Sequence, residues 1–183
     1  MDKEIEVRFL EINPQEIIAK LKSLDAKFKG DWLQLRNCYD FKPVRKNSWI
    51  RLRTNGTKTT LTIKEINSTA VDGTGECEIE VSNFDTTDEI LQRLGYKARS
   101  VQENRRVQYV LDGVEIDIDC WPYIPVYLEL EANSEQSIKD VCIKLGLDYN
   151  QSTTLDVMSI YDKYGIDISN IPILKLEEDR KIN

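Results

Sequence analysis

The chain has 183 residues, 31% of them charged, and a formal net charge of -7. This length suits one domain with a substantial core, and the acidic balance argues against broad electrostatic attraction to nucleic acid or an anionic membrane. Because the sequence contains no histidine, imidazole-dependent triads and acid–base schemes are excluded, and the four scattered cysteines have no histidine with which to complete a zinc site.

The N-terminus carries no apolar stretch behind a basic start, and no apolar run approaches the length of a membrane-spanning helix. We therefore expect a cytoplasmic protein, monomeric or homodimeric, with no nucleic-acid or membrane partner. Its chemistry must come from carboxylates, lysine, arginine, tyrosine or a metal ion.

Alternation of polar and apolar residues predicts about eight strands. In chain order they are Glu4–Leu10, Leu35–Phe41, Trp49–Thr54, Thr57–Glu65, Glu76–Val81, Arg105–Leu111, Val114–Cys120 and Tyr127–Ala132. Helical periodicity and capping signals predict four helices between and after them, over Asn13 to about Gly30, Thr86 to Gly95, Ile138–Leu145 and Thr154–Tyr164. The second helix is expected to begin with a capping box formed by Thr86 and Glu89.

The domain is predicted to span residues 1–168, with a C-terminal tail over residues 169–183. The tail is apolar from Ile171 to Leu176 and then charged, so that both docking and fraying are compatible with its composition.

Asn55-Gly56 predicts a tight hairpin, because this dipeptide readily adopts the positive φ angles of a type I′ turn. A two-residue turn there places Arg53 across from Lys58 and on one face with Arg51. Like charges that face each other destabilise a sheet unless something anionic lies between them. This face therefore predicts an anionic ligand.

Asp112-Gly113 predicts a second hairpin of the same kind, in which Arg106 lies across from Asp119. Arg106 is then on the polar face, whereas its neighbour Arg105 falls among apolar residues. We therefore favour Arg106 as the functional residue of the pair.

A charged face on one strand is ordinarily a solvated surface, but here every charged strand also offers an apolar face that helices can cover. The charged faces must then line a shared interior. An unpaired buried charge is costly, whereas a polyphosphate with a divalent metal satisfies both signs. We predict an α+β fold: an eight-stranded antiparallel β-barrel, or tunnel, with a charged interior and helices packed outside.

The sequence resembles the CYTH family, also called triphosphate tunnel metalloenzymes, which includes class IV adenylate cyclases and thiamine triphosphatases. The resemblance runs from Met1 to about Ile168. It rests on an ordered set of short motifs: Glu4-Ile-Glu6-Val-Arg8 in place of Glu-x-Glu-x-Lys, Ile50-Arg51-Leu52-Arg53, Leu61-Thr62-Ile63-Lys64, Glu78-Ile79-Glu80, Val114 to Asp119, Tyr127 to Glu131, and Ser159-Ile160-Tyr161.

The resemblance implies a tunnel that binds a triphosphate with Mg²⁺ or Mn²⁺. The implied metal ligands are Glu4, Glu6, Glu129 and Glu131. The implied phosphate-binding residues are Arg8, Arg51, Arg53, Lys64 and Arg106. The carboxylates implied to hold a second metal or to orient the attacking water are Glu78, Glu80 and Asp117. Arg8 departs from the family lysine, which favours bidentate phosphate binding over proton donation.

The leading hypothesis for function is metal-dependent hydrolysis of a small-molecule triphosphate, namely tripolyphosphate, thiamine triphosphate or a nucleoside triphosphate. One alternative is a class IV adenylate cyclase, which makes cyclic AMP and pyrophosphate from ATP. Another is a non-catalytic module that binds polyphosphate or nucleotide, against which the full set of carboxylates argues.

Overall fold

Eight antiparallel strands form a closed ring in the computed structural model, which describes residues 2–66, 74–177 and 182, with residues 2–4 and 74 in backbone only. The strands are β1 (Asp2–Phe9), β2 (Lys27–Asp40), β3 (Ser48–Thr54), β4 (Thr59–Ile66), β5 (Thr74–Val81), β6 (Ala98–Leu111), β7 (Val114–Cys120) and β8 (Tyr127–Ala132). Their order is β2-β3-β4-β5-β1-β8-β7-β6, and β6 pairs again with β2 to close the ring. The predicted antiparallel barrel is confirmed.

Two strands are longer than the alternation predicts. β2 begins at Lys27 rather than Leu35, and β6 begins at Ala98 rather than Arg105. The additional residues pair with one another across a long stretch of sequence, with a register shift near Gly30. This pairing stabilises segments whose own pattern is irregular, and periodicity alone therefore does not reveal them.

The second hairpin has the predicted two-residue turn. Asp112 and Gly113 have φ angles of 52° and 82°, in the left-handed region that a type I′ turn requires. Arg106 lies across from Asp119, as predicted.

The first hairpin differs from the prediction, because its loop has four residues rather than two. Arg53 lies across from Thr60, and Lys58 belongs to the loop. The longer loop is stabilised by the side-chain oxygen of Asn55, which accepts hydrogen bonds from the backbone N–H groups of Thr57 and Lys58. The predicted register was wrong by two residues, and a shift of two leaves every side chain on its predicted face.

Four α-helices lie outside the ring in the described parts of the chain: α1 (Pro14–Ser23), α2 (Phe84–Arg93), α3 (Glu135–Leu145) and α4 (Val157–Lys163). The first ends well before Gly30, because Gly30 already pairs within β2. The predicted capping box was wrong: Asn83 caps α2, and its side chain accepts a hydrogen bond from the N–H of Thr86.

The helices cover the apolar outer faces of the strands. Ile116 of β7 and Leu130 of β8 share a buried cluster with Leu21 of α1 and Ile138 of α3. A second cluster surrounds Trp121 next to α4, and a third lies beneath α2. Burial of this apolar area stabilises the barrel and leaves the opposite, charged faces of the strands to line its interior.

The chain returns to the barrel after α4. A short ninth strand, β9 (Ile173–Leu174), pairs in parallel with β6, and Leu174 is buried in the cluster around Trp121. Ile182 is buried in the largest cluster. The described part of the tail is therefore docked. Among the described residues, no helix is long and apolar enough to cross a membrane.

Candidate functional site

The interior of the barrel brings most of the predicted site residues together. The strand registers and ion pairs place inside it Glu6, Arg8, Arg51, Arg53, Lys64, Glu78, Arg106, Asp117, Glu129 and Glu131. Glu80 instead lies exposed at the rim, 3.7 Å from the Nζ atom of Lys58. Glu4 belongs to β1, but its side chain lies outside the described residues.

Three carboxylates from two neighbouring strands form a group that we call the carboxylate cluster: Glu6, Glu129 and Glu131. Glu6 pairs with Glu131 in the register of β1 and β8, and one oxygen of each of the three residues lies within 4.8 Å of the others. Hard divalent cations prefer such oxygen ligands. The donor set therefore suits a hard divalent cation.

Arg8 is buried against the carboxylate cluster. Its Nε atom donates to Glu129 at 2.7 Å, and its Nη2 atom lies 2.6 Å from Glu129 and 3.0 Å from Glu6. Its Nη1 atom donates to the backbone oxygen of Leu155 at 2.9 Å. Burial lowers the pKa of Arg8, but the charges of Glu129 and Glu6 outweigh burial and raise it above its ordinary value.

Arg106 forms a second buried network with acidic residues of β7 and β8. It pairs with Asp117, contacts Asp119 through Nε at 2.9 Å and Nη2 at 2.5 Å, and reaches Glu129 at 3.1 Å. Its neighbour Arg105 lies outside the barrel and pairs with Asp31. The two adjacent arginines therefore have opposite surroundings, as the hairpin register predicts.

Two of the three carboxylates beside Arg106, Asp117 and Glu129, have opposite pKa shifts. Burial raises the pKa of Asp117 to about 7, although Arg106 opposes this shift. Burial also favours protonation of Glu129, but the positive charges of Arg8, Arg106 and Lys64 hold its pKa well below the usual range. Glu129 is thus a fixed anion, whereas Asp117 changes charge near neutral pH.

The opposite part of the interior carries an excess of positive charge that we call the arginine cluster: Arg36, Arg51 and Arg53. The Nη2 atom of Arg51 lies 3.4 Å from Glu78 and 3.5 Å from Glu76, and that of Arg53 lies 3.9 Å from Glu78. Repulsion by Arg51, followed by burial, lowers the pKa of Arg53 well below its ordinary value. Arg53 is therefore poorly neutralised by the protein itself.

Arg36 is the residue of this cluster that the sequence analysis missed. Its guanidinium group lies 4.4 Å from the ring centroid of Trp121 and donates to Gln34 at 2.9 Å and also to Asn104. No ion pair joins it to any residue whose side chain the structure describes. Burial, with repulsion by Arg51, lowers its pKa to about 10. The sequence offered one signal for this residue: Gln34 and Arg36 are polar residues at alternate positions of β2.

A cavity of about 350 Å³ opens onto these groups. It is lined by Glu6 of the carboxylate cluster, by Arg36 and Arg51 of the arginine cluster, and by Arg8 and Lys64. Lys64 pairs with Glu76. Apolar side chains also line the cavity, among them Trp49, Trp121, Met158 and Ile168. The cavity is large enough for a small ligand that has both a polyanionic and an apolar part.

The fold and the site together define the class of protein: a closed antiparallel β-barrel whose interior is lined by charged side chains. The chain belongs to the CYTH domain family, whose model matches residues 2–155. No curated protein sequence matches the chain.

Solved structures share the fold over nearly their whole length. The PH1012 protein of Pyrococcus horikoshii is 27% identical with a TM-score of 0.73, covering 86% of this chain and 98% of its own. A proposed adenylate cyclase of Vibrio parahaemolyticus is 12% identical with a TM-score of 0.72, covering 88% and 98%. The HpAC1 protein of Hippeastrum, described as having a dominant triphosphatase activity, is 15% identical with a TM-score of 0.59, covering 91% and 97%. The last two similarities show the fold alone.

Proposed function

We propose that the protein hydrolyses a triphosphate to a diphosphate and phosphate inside the barrel, in a reaction that depends on Mg²⁺ or Mn²⁺. The observation that carries this proposal is the arginine cluster, which holds three cations within the barrel with few close acidic partners. Buried charges of one sign require a counter-charge. A triphosphate provides several negative charges along a narrow chain, and these charges would neutralise the arginine cluster.

Five cationic side chains are proposed to bind the phosphates: Arg8, Arg51, Arg53, Lys64 and Arg106. Arg36 is added to this set, because it lines the cavity and has no described acidic partner of its own. Its guanidinium group is held over the ring of Trp121, and a guanidinium group can bind phosphate oxygens in a bidentate manner.

The carboxylate cluster, together with Glu4, is proposed to hold the metal ion. A bound divalent ion would supply neutralisation of the charge that develops on the phosphate oxygens. Glu129 suits this position, because neighbouring cations keep it ionised. The presence of these carboxylates favours a metal-assisted reaction over simple anion binding, because anion binding would need only the basic residues.

Three further carboxylates were predicted to orient the attacking water or to hold a second metal, and the proposal retains Glu78, Glu80 and Asp117. Asp117 is the strongest of these, because it is buried beside Glu129 and Arg106 and its pKa lies near neutrality. A carboxylate with such a pKa can accept a proton at working pH. Glu78 accepts a hydrogen bond from Thr62 at 2.6 Å and faces the arginine cluster.

The second candidate is adenylate cyclase, and one observation is compatible with it. The cavity that is lined by Arg36 and Arg51 is also lined by Trp49, Trp121 and Met158, which offer an apolar and aromatic surface. Such a surface can pack against a nucleobase or another organic group. This observation supports an organic triphosphate as substrate for either reaction.

Incubation of the purified protein with tripolyphosphate, thiamine triphosphate and ATP, each with Mg²⁺ or Mn²⁺, tests the proposal. We expect release of phosphate from at least one of them, and no release in the presence of a chelator. Appearance of cyclic AMP and pyrophosphate from ATP would instead establish the cyclase. Binding of all three without turnover would contradict both enzymatic assignments.

Glu6→Gln is predicted to abolish metal-dependent turnover while leaving the fold intact, because it removes one charged oxygen ligand from the carboxylate cluster. The matched control is Glu65→Gln, on the outer face of β4, which should retain full activity. Phosphate release and circular dichroism are measured for both variants. Undiminished activity of Glu6→Gln would contradict the assignment.

A further inference from the structure

We infer that the guanidinium group of Arg8 is the resident cation of the carboxylate cluster and that it competes with a divalent ion for this position. The inference rests on the proposed function insofar as the carboxylate cluster is taken as the metal site. It adds that metal affinity in this chain is set by the residue that replaces the family lysine.

The contacts of Arg8 carry the inference. Its Nη2 atom bridges Glu6 and Glu129, at 3.0 Å and 2.6 Å, and these are two of the three residues whose oxygens converge. Its Nε atom makes a second bond to Glu129 at 2.7 Å. Arg8 thus already pairs with two of the three carboxylates to which a divalent ion would bind.

The exchange between Arg8 and a metal ion follows from simple electrostatics. Arginine keeps its positive charge at any physiological pH, and it cannot yield its place by losing a proton. A divalent ion among the same oxygens would lie next to that charge, and the two repel strongly in a buried site. The guanidinium group must therefore move off Glu6 and Glu129 when the metal binds.

The backbone around Arg8 is held, so that the movement concerns the side chain. The N–H and C=O groups of Arg8 both pair with Thr153 at 2.8 Å. Arg8 also lines the cavity. A guanidinium group that leaves the carboxylates can therefore turn toward the cavity, where a bound anion would accept its hydrogen bonds.

Titration of the metal-free protein with Mn²⁺ alone, followed by the electron paramagnetic resonance signal of free Mn²⁺, tests the inference without an activity assay. We expect Arg8→Gln to bind Mn²⁺ about tenfold or more tightly than the wild type, because it removes the positive charge that bridges Glu6 and Glu129. Arg105→Gln, which removes an arginine from the outer face, should bind with unchanged affinity.

Arg8→Lys provides the same test in a variant that keeps the charge, should Arg8→Gln fail to fold. A single ammonium group cannot reproduce the planar fork that bonds Glu6, Glu129 and Leu155 together, so that we expect an affinity between those of the wild type and Arg8→Gln. Equal or weaker Mn²⁺ binding by the Arg8 variants would overturn the inference and leave the metal site standing. Absence of Mn²⁺ binding in all variants would overturn the metal site as well.

Discussion

Two adjacent side chains of β6 have opposite surroundings. Arg105 and Arg106 differ by one residue in β6, yet Arg105 pairs with Asp31 outside the barrel and Arg106 contacts three carboxylates inside it. Because strand side chains alternate, a one-residue change of register would place Arg105 inside the barrel and Arg106 outside it. The second hairpin turn, with its two positive φ angles, fixes that register.

Asp117 gives a testable pH dependence at this scale. Its pKa is about 7 in the folded protein, against an ordinary value of 3.8, so that the folded state retains a proton that the unfolded state loses. The contribution of Asp117 to the free energy of unfolding is therefore lost as pH rises from about 4 to about 7. Between about pH 5 and pH 8, we expect the free energy of unfolding of the wild type to fall by about 2–3 kcal/mol relative to that of Asp117→Asn. Chemical denaturation at the two pH values measures this, and parallel pH profiles would contradict it.

At the scale of elements, the sequence predicts strands better than it predicts their ends. The alternation of β7 and β8 indicates both strands at their observed bounds, because each has one buried apolar face. The first half of β2 is stabilised mainly by its partner β6, which is distant in sequence, and local pattern does not indicate such pairing. Arg36 was missed for a related reason: its significance depends on Arg51 and Trp121, which only the closed barrel brings near it.

The cap of α2 is the clearest case of a local signal that was misread. Thr86 and Glu89 have capping-box spacing, but Asn83 begins the helix, and Glu89 pairs with Arg93 on the surface. We predict that Asn83→Ala lowers the free energy of unfolding by about 1 kcal/mol, because it leaves the N–H of Thr86 without its side-chain acceptor. Thr86→Ala, the matched control, should change it by less than about 0.5 kcal/mol. Urea denaturation compares the two, and a larger loss in Thr86→Ala would favour the original interpretation.

At the scale of the whole molecule, the barrel separates two kinds of stabilisation. Its outside is held by apolar packing under the helices, whereas its inside contains networks of charge that are satisfied near Glu129 and incompletely satisfied near Arg53. The ligand-free protein therefore retains unfavourable electrostatic energy in the arginine cluster. A bound polyanion should release it, and binding should appear as added stability of the entire fold.

Tripolyphosphate, added with a chelator so that no metal contributes, is accordingly predicted to raise the melting temperature of the wild type. At a concentration of about 100 times the dissociation constant, the added stability should be about 2.7 kcal/mol.

Arg53→Gln should be at least as stable as the wild type without ligand, since repulsion by Arg51 is relieved, and should gain clearly less on addition of tripolyphosphate. Arg105→Gln should gain as much as the wild type, because its side chain faces outward. Differential scanning calorimetry at low and high salt measures these increments, which should shrink with salt as charges are screened. Equal increments in Arg53→Gln and the wild type would show that the polyanion binds away from the arginine cluster, since removal of a cation that contacts the ligand must weaken its binding.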